Sequence, residues 1–160
     1  MTYRTGIGYD IHRLVEDRKL FLGGIEITYV KGLLGHSDAD ALLHAICDAL
    51  LGAIGQSDIG ELFPNTDEKY HNISSIELLK TTAELVRKQG FTIVNIDSIV
   101  IAQEPNLSPF KKQMQVCIAS TLDIENERVN VKAKTNEGID EIGEKKAIAC
   151  FATVILSKGG

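Results

Sequence analysis

The chain has 160 residues, of which 44% are hydrophobic and 24% charged, with only three prolines. This composition is typical of a globular protein that buries roughly two-thirds of its unfolded surface, and it excludes a disordered or fibrous chain. The net charge of -5 gives no general attraction to nucleic acid. We therefore expect a single domain over residues 1–160 and no nucleic-acid partner.

The first half of the chain alternates between strand and helix patterns. A strand over residues 3–14 precedes a hairpin with arms at 19–22 and 25–28, joined by the turn signal Gly23-Gly24. Residues 31–35 are expected to form a loop, and the apolar spacing predicts a helix that begins at Ser37 or Asp38 and ends at Ile54. The polar residues 55–67 predict a loop of the kind that often carries binding residues.

The second half predicts two further helices and three strands. A helix capped by Ser74 or Ser75 is expected to reach residue 89, followed by an interior strand over 91–102. Pro105 ends that strand, a helix follows over 108–121, and strands over 128–135 and 147–157 flank a charged turn at 136–146. The order predicts an α+β fold in which helices pack on one face of a small mixed sheet.

The last strand indicates an oligomer. Residues 147–156 are apolar at both alternating sets, so both faces of this strand should be buried. Because the helices cover only one face of the sheet, we infer a homo-oligomer whose sheets face inward. The alternative is a monomer in which the helices suffice to cover the core.

The cysteines and the first residues of the chain indicate the cellular compartment in which we expect the protein. Cys47, Cys117 and Cys150 are far apart, odd in number and set in apolar sequence, which is typical of small core residues in a reducing compartment. The first residues lack the apolar segment of a secretory signal, and no run approaches the roughly 20 apolar residues of a membrane span. We expect a cytoplasmic protein without a membrane partner.

Three side chains near the N-terminus have the character of metal ligands. Asp10 and His12 project from the same face of a strand, because side chains alternate with a period of two. His44 lies one helical turn after Asp40. One carboxylate and two imidazoles suit zinc, and three protein ligands leave one position for a substrate oxygen or water. The sequence therefore predicts an open, catalytic metal site.

Each member of this cluster also has a structural interpretation. Asp10 and His12 could be a hydrogen-bonded polar pair, and His44 could be a neutral core histidine on an apolar helix. His36 lies at a loop-to-helix junction where Ser37 or Asp38 would serve only as a cap. Asp40 could orient His44 or simply be a charge in the first turn of the helix.

An ordered series of motifs carries a family resemblance. The motifs are Gly-Tyr-Asp-Ile-His (8–12), Leu-Gly-Gly (22–24), Lys-Gly-Leu-Leu-Gly-His-Ser-Asp-Ala-Asp (31–40), Leu-His-Ala-Ile-Cys-Asp-Ala-Leu-Leu-Gly-Ala (43–53), Asp-Ile-Gly (58–60), Phe-Pro-Asn-Thr-Asp (63–67), Ile-Ala-Gln-Glu-Pro (101–105) and Val-Asn-Val-Lys-Ala (129–133). In this order they resemble the 2-C-methyl-D-erythritol 2,4-cyclodiphosphate synthase family. The resemblance covers nearly the whole chain.

The resemblance implies an enzyme of non-mevalonate isoprenoid biosynthesis. Such enzymes convert 4-diphosphocytidyl-2-C-methyl-D-erythritol 2-phosphate into the 2,4-cyclodiphosphate and CMP. The substrate supplies its own nucleophile, since its 2-phosphate attacks the β-phosphorus and expels CMP. The protein then has to align the two phosphates and neutralise their charge. The family is a homotrimer with active sites between subunits.

The resemblance also assigns residues. It implies that Asp10, His12 and His44 bind Zn²⁺, that Glu137 binds Mg²⁺ or Mn²⁺, and that His36 and Thr135 are catalytic. The implied substrate-binding positions are Asp10, His12, His36, Ser37, Asp58, Gly60, Phe63, Pro64, Asn65, Thr66, Asp67, Ala102, Pro105, Asn106, Leu107, Ser108, Lys134, Thr135, Asn136 and Glu137.

The resemblance implies that different segments of the chain contact different parts of the substrate. His36 and Ser37 match contacts to the methylerythritol phosphate, where the following helix entrance would add backbone amides and a positive dipole end. Asp58 and Gly60 match ribose positions, and residues 63–67 a loop around the erythritol unit. Residues 102–108 match a cytosine pocket supplied by a neighbouring subunit, and residues 134–137 match the diphosphate-binding stretch.

The chain departs from the family pattern at several positions. Asn65 replaces an aspartate, Asn106 a lysine near the α-phosphate, and Asn136 a threonine. Glu141 and Glu144 replace a phenylalanine and an arginine that help an axial cavity hold isoprenoid diphosphates. We hypothesise that Glu144 and Lys146, if they share a strand face, form an ion pair across the axis and that isoprenoid diphosphate binding is lost; the alternative is a solvated charged turn.

Two other functions remain open at this stage. A zinc phosphoesterase would use water at the open coordination position. A trimeric nucleotide-binding protein would use zinc only as structural support.

Overall fold

A computed structural model describes residues 1–64, 66–68, 70 and 72–159 of the chain. The strands are β1 (Thr2–Glu16), β2 (Leu20–Leu22), β3 (Ile25–Ile27), β4 (Lys31–Leu33), β5 (Thr92–Ile101), β6 (Val129–Lys134) and β7 (Ala147–Lys158). The helices are α1 (Ala41–Ala53), α2 (Ile59–Leu62), α3 (Ser75–Lys88), α4 (Lys111–Leu122) and α5 (Asp140–Gly143), with a 3-10 turn at Asn126–Arg128.

Five strands form a mixed sheet in the order β4-β1-β7-β5-β6, and β2 pairs with β3 in a separate hairpin. Every neighbouring pair in the large sheet is antiparallel except β5 and β6, which are parallel. The predicted α+β class and mixed sheet are confirmed. Within the described part of the chain, no helix has the length and hydropathy needed to span a membrane.

Helix α1 lies directly on β1, and this contact positions the candidate metal ligands. The helix is buried along most of its length. Glycines make its close approach possible: a Cβ on Gly8 would lie 1.8 Å from the carbonyl oxygen of Ala45, and one on Gly6 would lie 1.9 Å from that of Ala49. Only glycine leaves room for a helix backbone at this distance.

The opposite face of the sheet is apolar and partly exposed. Ile7 is 71% exposed, and the ring of Tyr9 packs against that of Phe151 with centroids 4.7 Å apart. Helix α5 covers one end of this face, where Ile142 packs against Ala147 and its neighbours. The prediction that helices cover one face therefore needs this correction: a short helix also lies on the other.

One predicted helix start is wrong, and three segments expected to be loops or turns each contain a short element. The first helix begins at Ala41 with Asp40 as its N-cap, not at Ser37 or Asp38, because Ser37 and Ala39 have φ values of 54° and 52° and cannot continue a right-handed helix. The expected loop at 31–35 contains β4, which pairs with the end of β1. The loop at 55–67 contains α2, and the charged turn at 136–146 contains α5.

Candidate metal centre and substrate pockets

Asp10, His12 and His44 converge as predicted. Strand β1 directs Asp10 and His12 toward the helix layer, and α1 places His44 above them. Oδ2 of Asp10 lies 2.9 Å from Nε2 of His12 and 3.0 Å from Nδ1 of His44. Each residue offers one ligand atom, and these atoms all lie within 4.8 Å of one another. This separation is suited to three ligands around one metal ion.

The hydrogen bonds around the cluster leave electron pairs directed inward. Nδ1 of His12 lies 2.9 Å from the carbonyl oxygen of Leu34, which can only accept, so this nitrogen carries the proton. Nε2 of the neutral ring then has a lone pair. Among the described residues this buried nitrogen has no hydrogen-bond partner, although Asp10 is 2.9 Å away. An unpartnered nitrogen beside a carboxylate oxygen fits a bound cation.

The pKa shifts within the cluster also favour a positive charge between the three side chains. Burial raises the pKa of Asp10, but the imidazoles of His12 and His44 outweigh it and lower that pKa to about 2. The carboxylate of Asp10 in turn raises the pKa of His12 above its ordinary value of 6.5. Protons and a divalent ion therefore compete for the same place.

The three ligands open into a cavity of about 260 Å³. His36 and Ser37 line it on one side, and Gly60 and Phe63 on another. Asp58 caps α2 by accepting a hydrogen bond of 3.1 Å from the backbone N–H of Glu61. Pro64, Thr66 and Asp67 continue the chain beyond Phe63, whereas Asn65 lies outside the described residues.

The entrance of α1, where the resemblance implied backbone amides toward phosphate, holds a carboxylate of the chain itself. The buried carboxylate of Asp40 accepts hydrogen bonds from the backbone N–H groups of Gly23, Gly24 and Leu43, at 3.0, 2.7 and 3.0 Å. It therefore occupies the positive end of α1 itself. Asp40 thus ties the β2–β3 hairpin to the start of α1, which answers the question that the sequence left open about its role.

A second pocket, of about 300 Å³, gathers the residues expected to bind nucleotide. It is lined by Ala102, Gln103, Glu104, Pro105, Asn106, Leu107, Ser108, Ala133, Lys134 and Thr135. The parallel pairing of β5 with β6 brings the two segments together, and the N–H of Ala102 donates to the carbonyl of Lys134 at 2.9 Å. The side chain of Asn106 accepts from the N–H of Ser108 at 3.1 Å.

Glu137 lies beside the second pocket, away from the metal cluster. Its side chain is exposed, and its φ of 51° turns the chain after Thr135. The neighbouring N–H of Gly138 donates to the side-chain oxygen of Gln103 at 3.2 Å, which joins this turn to the pocket wall. Asn136 closes the same turn by donating to the carbonyl of Ile139 at 3.0 Å.

The hypothesis of an axial ion-pair belt required Glu144 and Lys146 to share a strand face, and this condition is not met. Glu144 is the C-cap of α5 and Lys146 precedes β7. Lys146 pairs with Glu144 of its own chain.

Sequence reasoning missed two residues behind His44. The hydroxyl of Ser75 lies 3.0 Å from Nε2 of His44 and also hydrogen-bonds Asp38. The only sequence signal was a pair of serines at a helix start where one is enough to cap it. Asp48 was also missed: it accepts from the N–H of Ile59 at 2.9 Å and so braces α2 over the cavity.

Together these features define an α+β protein with an open candidate centre for a divalent metal. The sequence pattern of the YgbB family matches residues 3–157, and the chain belongs to that family. A relative from Caldicellulosiruptor bescii named 2-C-methyl-D-erythritol 2,4-cyclodiphosphate synthase is 52% identical over 154 residues, which are 96% of this chain and 98% of that protein. A relative of the same name from Clostridium botulinum is 55% identical over 146 residues, 91% of this chain and 93% of that protein.

Solved structures show the same fold. The chain matches IspF from Plasmodium falciparum in a CDP complex with a TM-score of 0.87 and 40% identity, over 99% of this chain and 97% of that one. It matches the bifunctional IspDF of Campylobacter jejuni with a TM-score of 0.94 and 47% identity. That match covers 99% of this chain but 43% of the bifunctional chain.

Proposed function

We propose that the chain converts 4-diphosphocytidyl-2-C-methyl-D-erythritol 2-phosphate into 2-C-methyl-D-erythritol 2,4-cyclodiphosphate and CMP. The observation that carries the proposal is the convergence of Asp10, His12 and His44 at the floor of an open cavity. Relatives covering nearly the whole chain bear the name of this synthase, and a structural neighbour was solved with CDP. The chain is accordingly a phosphorus–oxygen lyase.

The chemistry needs positioning more than it needs an enzymic nucleophile. An oxygen of the substrate 2-phosphate forms a bond to the β-phosphorus, the bond from that phosphorus to the bridging oxygen breaks, and CMP leaves with the electron pair. The protein contributes by holding both phosphates in line within the cavity. His36 and Ser37 line the cavity, which supports a role for them in binding the 2-phosphate end.

We assign Zn²⁺ to Asp10, His12 and His44, because a carboxylate and two imidazoles suit that ion and leave a coordination position open. When bound, it supplies positive charge to the β-phosphate. Glu137 is proposed to hold Mg²⁺ or Mn²⁺ against the diphosphate, and its exposed carboxylate beside Thr135 and Lys134 supports this role. Thr135 and Lys134 would contact the diphosphate itself.

The proposed assembly is a homotrimer with active sites between subunits. On one chain, the metal cavity and the predicted nucleotide pocket are separate and share no lining residue. A substrate that fills both would therefore use the metal centre of one subunit and residues 102–108 of its neighbour. The exposed apolar face around Ile7 offers a surface that assembly would bury.

We propose a cytoplasmic location, without nucleic-acid or membrane partners. The support is the use of cysteine: Cys47 and Cys150 are buried and Cys117 is half-buried, as small core residues are in a reducing compartment. The net charge of -5 supports the absence of a nucleic-acid partner.

Replacing His44 by alanine tests the proposed function. We expect turnover to be lost while the circular dichroism spectrum and the oligomer remain, because the side chain binds metal at an open position rather than holding the core together. Val116→Ala on the exposed surface of α4 is the matched control and should keep full activity. Loss of the folded oligomer in the His44 variant would instead indicate a structural zinc site.

A further inference from the structure

A chain of polar contacts runs from His44 into the protein, away from the cavity. The hydroxyl oxygen of Ser75 lies 3.0 Å from Nε2 of His44. The same hydroxyl hydrogen-bonds Oδ1 of Asp38, and the backbone N–H of Ser75 donates to Oδ2 of Asp38 at 3.1 Å. Ser75 is 1% exposed. Its hydroxyl is therefore held on both sides in a buried setting.

The chemistry of the partners fixes the direction of each proton. An ionised carboxylate can only accept, so the hydroxyl of Ser75 donates its proton to Asp38. The oxygen of Ser75 must then accept from His44, which places a proton on Nε2. With the proton on Nε2, Nδ1 keeps its lone pair and faces Oδ2 of Asp10 at 3.0 Å, so two electron-pair donors meet where a cation bound between them would satisfy both.

Helix capping does not explain Ser75. The preceding Ser74 is the N-cap of α3 and accepts from the N–H of Glu77 at 3.2 Å. A second serine in the first turn adds nothing to that cap. Its buried hydroxyl oxygen instead accepts a hydrogen bond from Nε2 of His44, which would otherwise lack an acceptor.

We propose that Ser75 and Asp38 are positioning residues that fix the ring orientation and the tautomer of His44 for metal binding. The inference rests on the proposed metal site. Asp38 also directly follows His36 and Ser37 in the chain, so the contact to Ser75 anchors the cavity wall to α3. The contact between Ser75 and Asp38 thus holds both the proposed metal ligand His44 and the segment proposed to contact substrate.

Zn²⁺ affinity, measured by competition with a chromophoric chelator, tests the proposal without using turnover. Ser75→Ala should weaken binding by about tenfold to a hundredfold, the usual effect of losing a partner that orients a metal ligand. Ser74→Ala, the matched control, should lower helix stability but keep the affinity of the native chain. Equal affinities in the native chain and the Ser75 variant would overturn the proposal.

Asp38→Asn provides a second variant that keeps size and shape. The asparagine oxygen would accept from the N–H of Ser75 and its amide group would donate to the hydroxyl oxygen. The hydroxyl proton would then turn toward Nε2 of His44 and favour the tautomer with Nδ1 protonated, which cannot bind metal through Nδ1. We expect a loss of Zn²⁺ affinity at least as large as in Ser75→Ala, and native affinity would contradict the proposal.

Nuclear magnetic resonance of ¹⁵N-labelled histidine shows directly which ring nitrogen of His44 carries the proton. The native chain should show a slowly exchanging proton on Nε2 of His44, with and without Zn²⁺, and Ser75→Ala should lose that protection. A hydroxyl that donates to Nε2, as a nucleophilic serine would, leaves no such proton and overturns the proposal. If the native chain bound no Zn²⁺ the proposed metal site would fail, and this resonance would still decide the role of Ser75.

Discussion

Gly8→Ala tests whether the close approach of α1 to β1 creates the metal centre. The new Cβ would lie 1.8 Å from the carbonyl oxygen of Ala45, whereas real Cβ atoms essentially never approach other atoms closer than 3.0 Å. The separation must therefore grow by about 1.2 Å, the difference between these distances. Ala45 is bonded to His44, and metal–ligand distances tolerate only about 0.2 Å. The ligand set should be pulled apart.

We expect Gly8→Ala to weaken Zn²⁺ binding more than about tenfold and to lower the free energy of unfolding by roughly 2 kcal/mol. Chelator competition and urea unfolding measure the two effects. Gly52→Ala is the matched control on the same helix, because its Cβ would meet only the carbonyl oxygen of Ile7, at 3.9 Å. It should raise stability by about 0.5–1 kcal/mol and leave binding unchanged. Native Zn²⁺ affinity in the Gly8 variant would show that the close approach of α1 to β1 does not set the geometry of the ligands.

Three further predictions concern the pH dependence of His12, nucleotide binding near Asn106 and assembly through Ile7. Without metal, protonated His12 beside Asp10 stabilises the fold at low pH, and this contribution is lost as pH rises through the raised pKa of His12. Zn²⁺ binding strengthens over the same pH range, because the ligands lose their protons. Melting temperatures with and without Zn²⁺ should therefore diverge from pH 6 to 8, and less so in His12→Ala. Asn106→Asp keeps the acceptor for Ser108 but adds a negative charge, so CDP binding by calorimetry should weaken by about fivefold, unlike in Gln113→Glu on the exposed surface of α4. Ile7→Asp should dissociate the proposed trimer in sedimentation experiments, whereas Val116→Asp should not; a stable trimer in the Ile7 variant would place the interface elsewhere.

Local periodicity predicted that the candidate metal ligands share a side of the sheet, although it left a structural interpretation of each residue open. The period of two along β1 put Asp10 and His12 on the same side, and the helical spacing around His44 put that side chain on a core helix. Both inferences rest only on residues that are close together in the sequence. The convergence of the three side chains, which these patterns and the family resemblance predicted, is confirmed by the structure.

Contacts between distant segments could not be predicted in the same way. Asp38 and Ser75 are separated by 37 positions, and no spacing rule connects a loop residue to the first turn of a later helix. The left-handed backbone at Ser37 and Ala39 was equally hidden, because neither residue type favours it, and it delayed the helix start to Ala41. Tertiary packing decides such positions, and a single sequence does not display it.

The fate of solvent oxygen during turnover distinguishes a cyclase directly from an enzyme that uses water. The purified protein is incubated with the CDP-linked substrate, Zn²⁺ and Mg²⁺ in water enriched in ¹⁸O, and the products are read by phosphorus NMR. Because the attacking oxygen belongs to the substrate 2-phosphate, we predict cyclic diphosphate and CMP, neither carrying ¹⁸O. Label in CMP or in an uncyclised methylerythritol phosphate would contradict the account and would indicate a metal-dependent phosphoesterase that uses water.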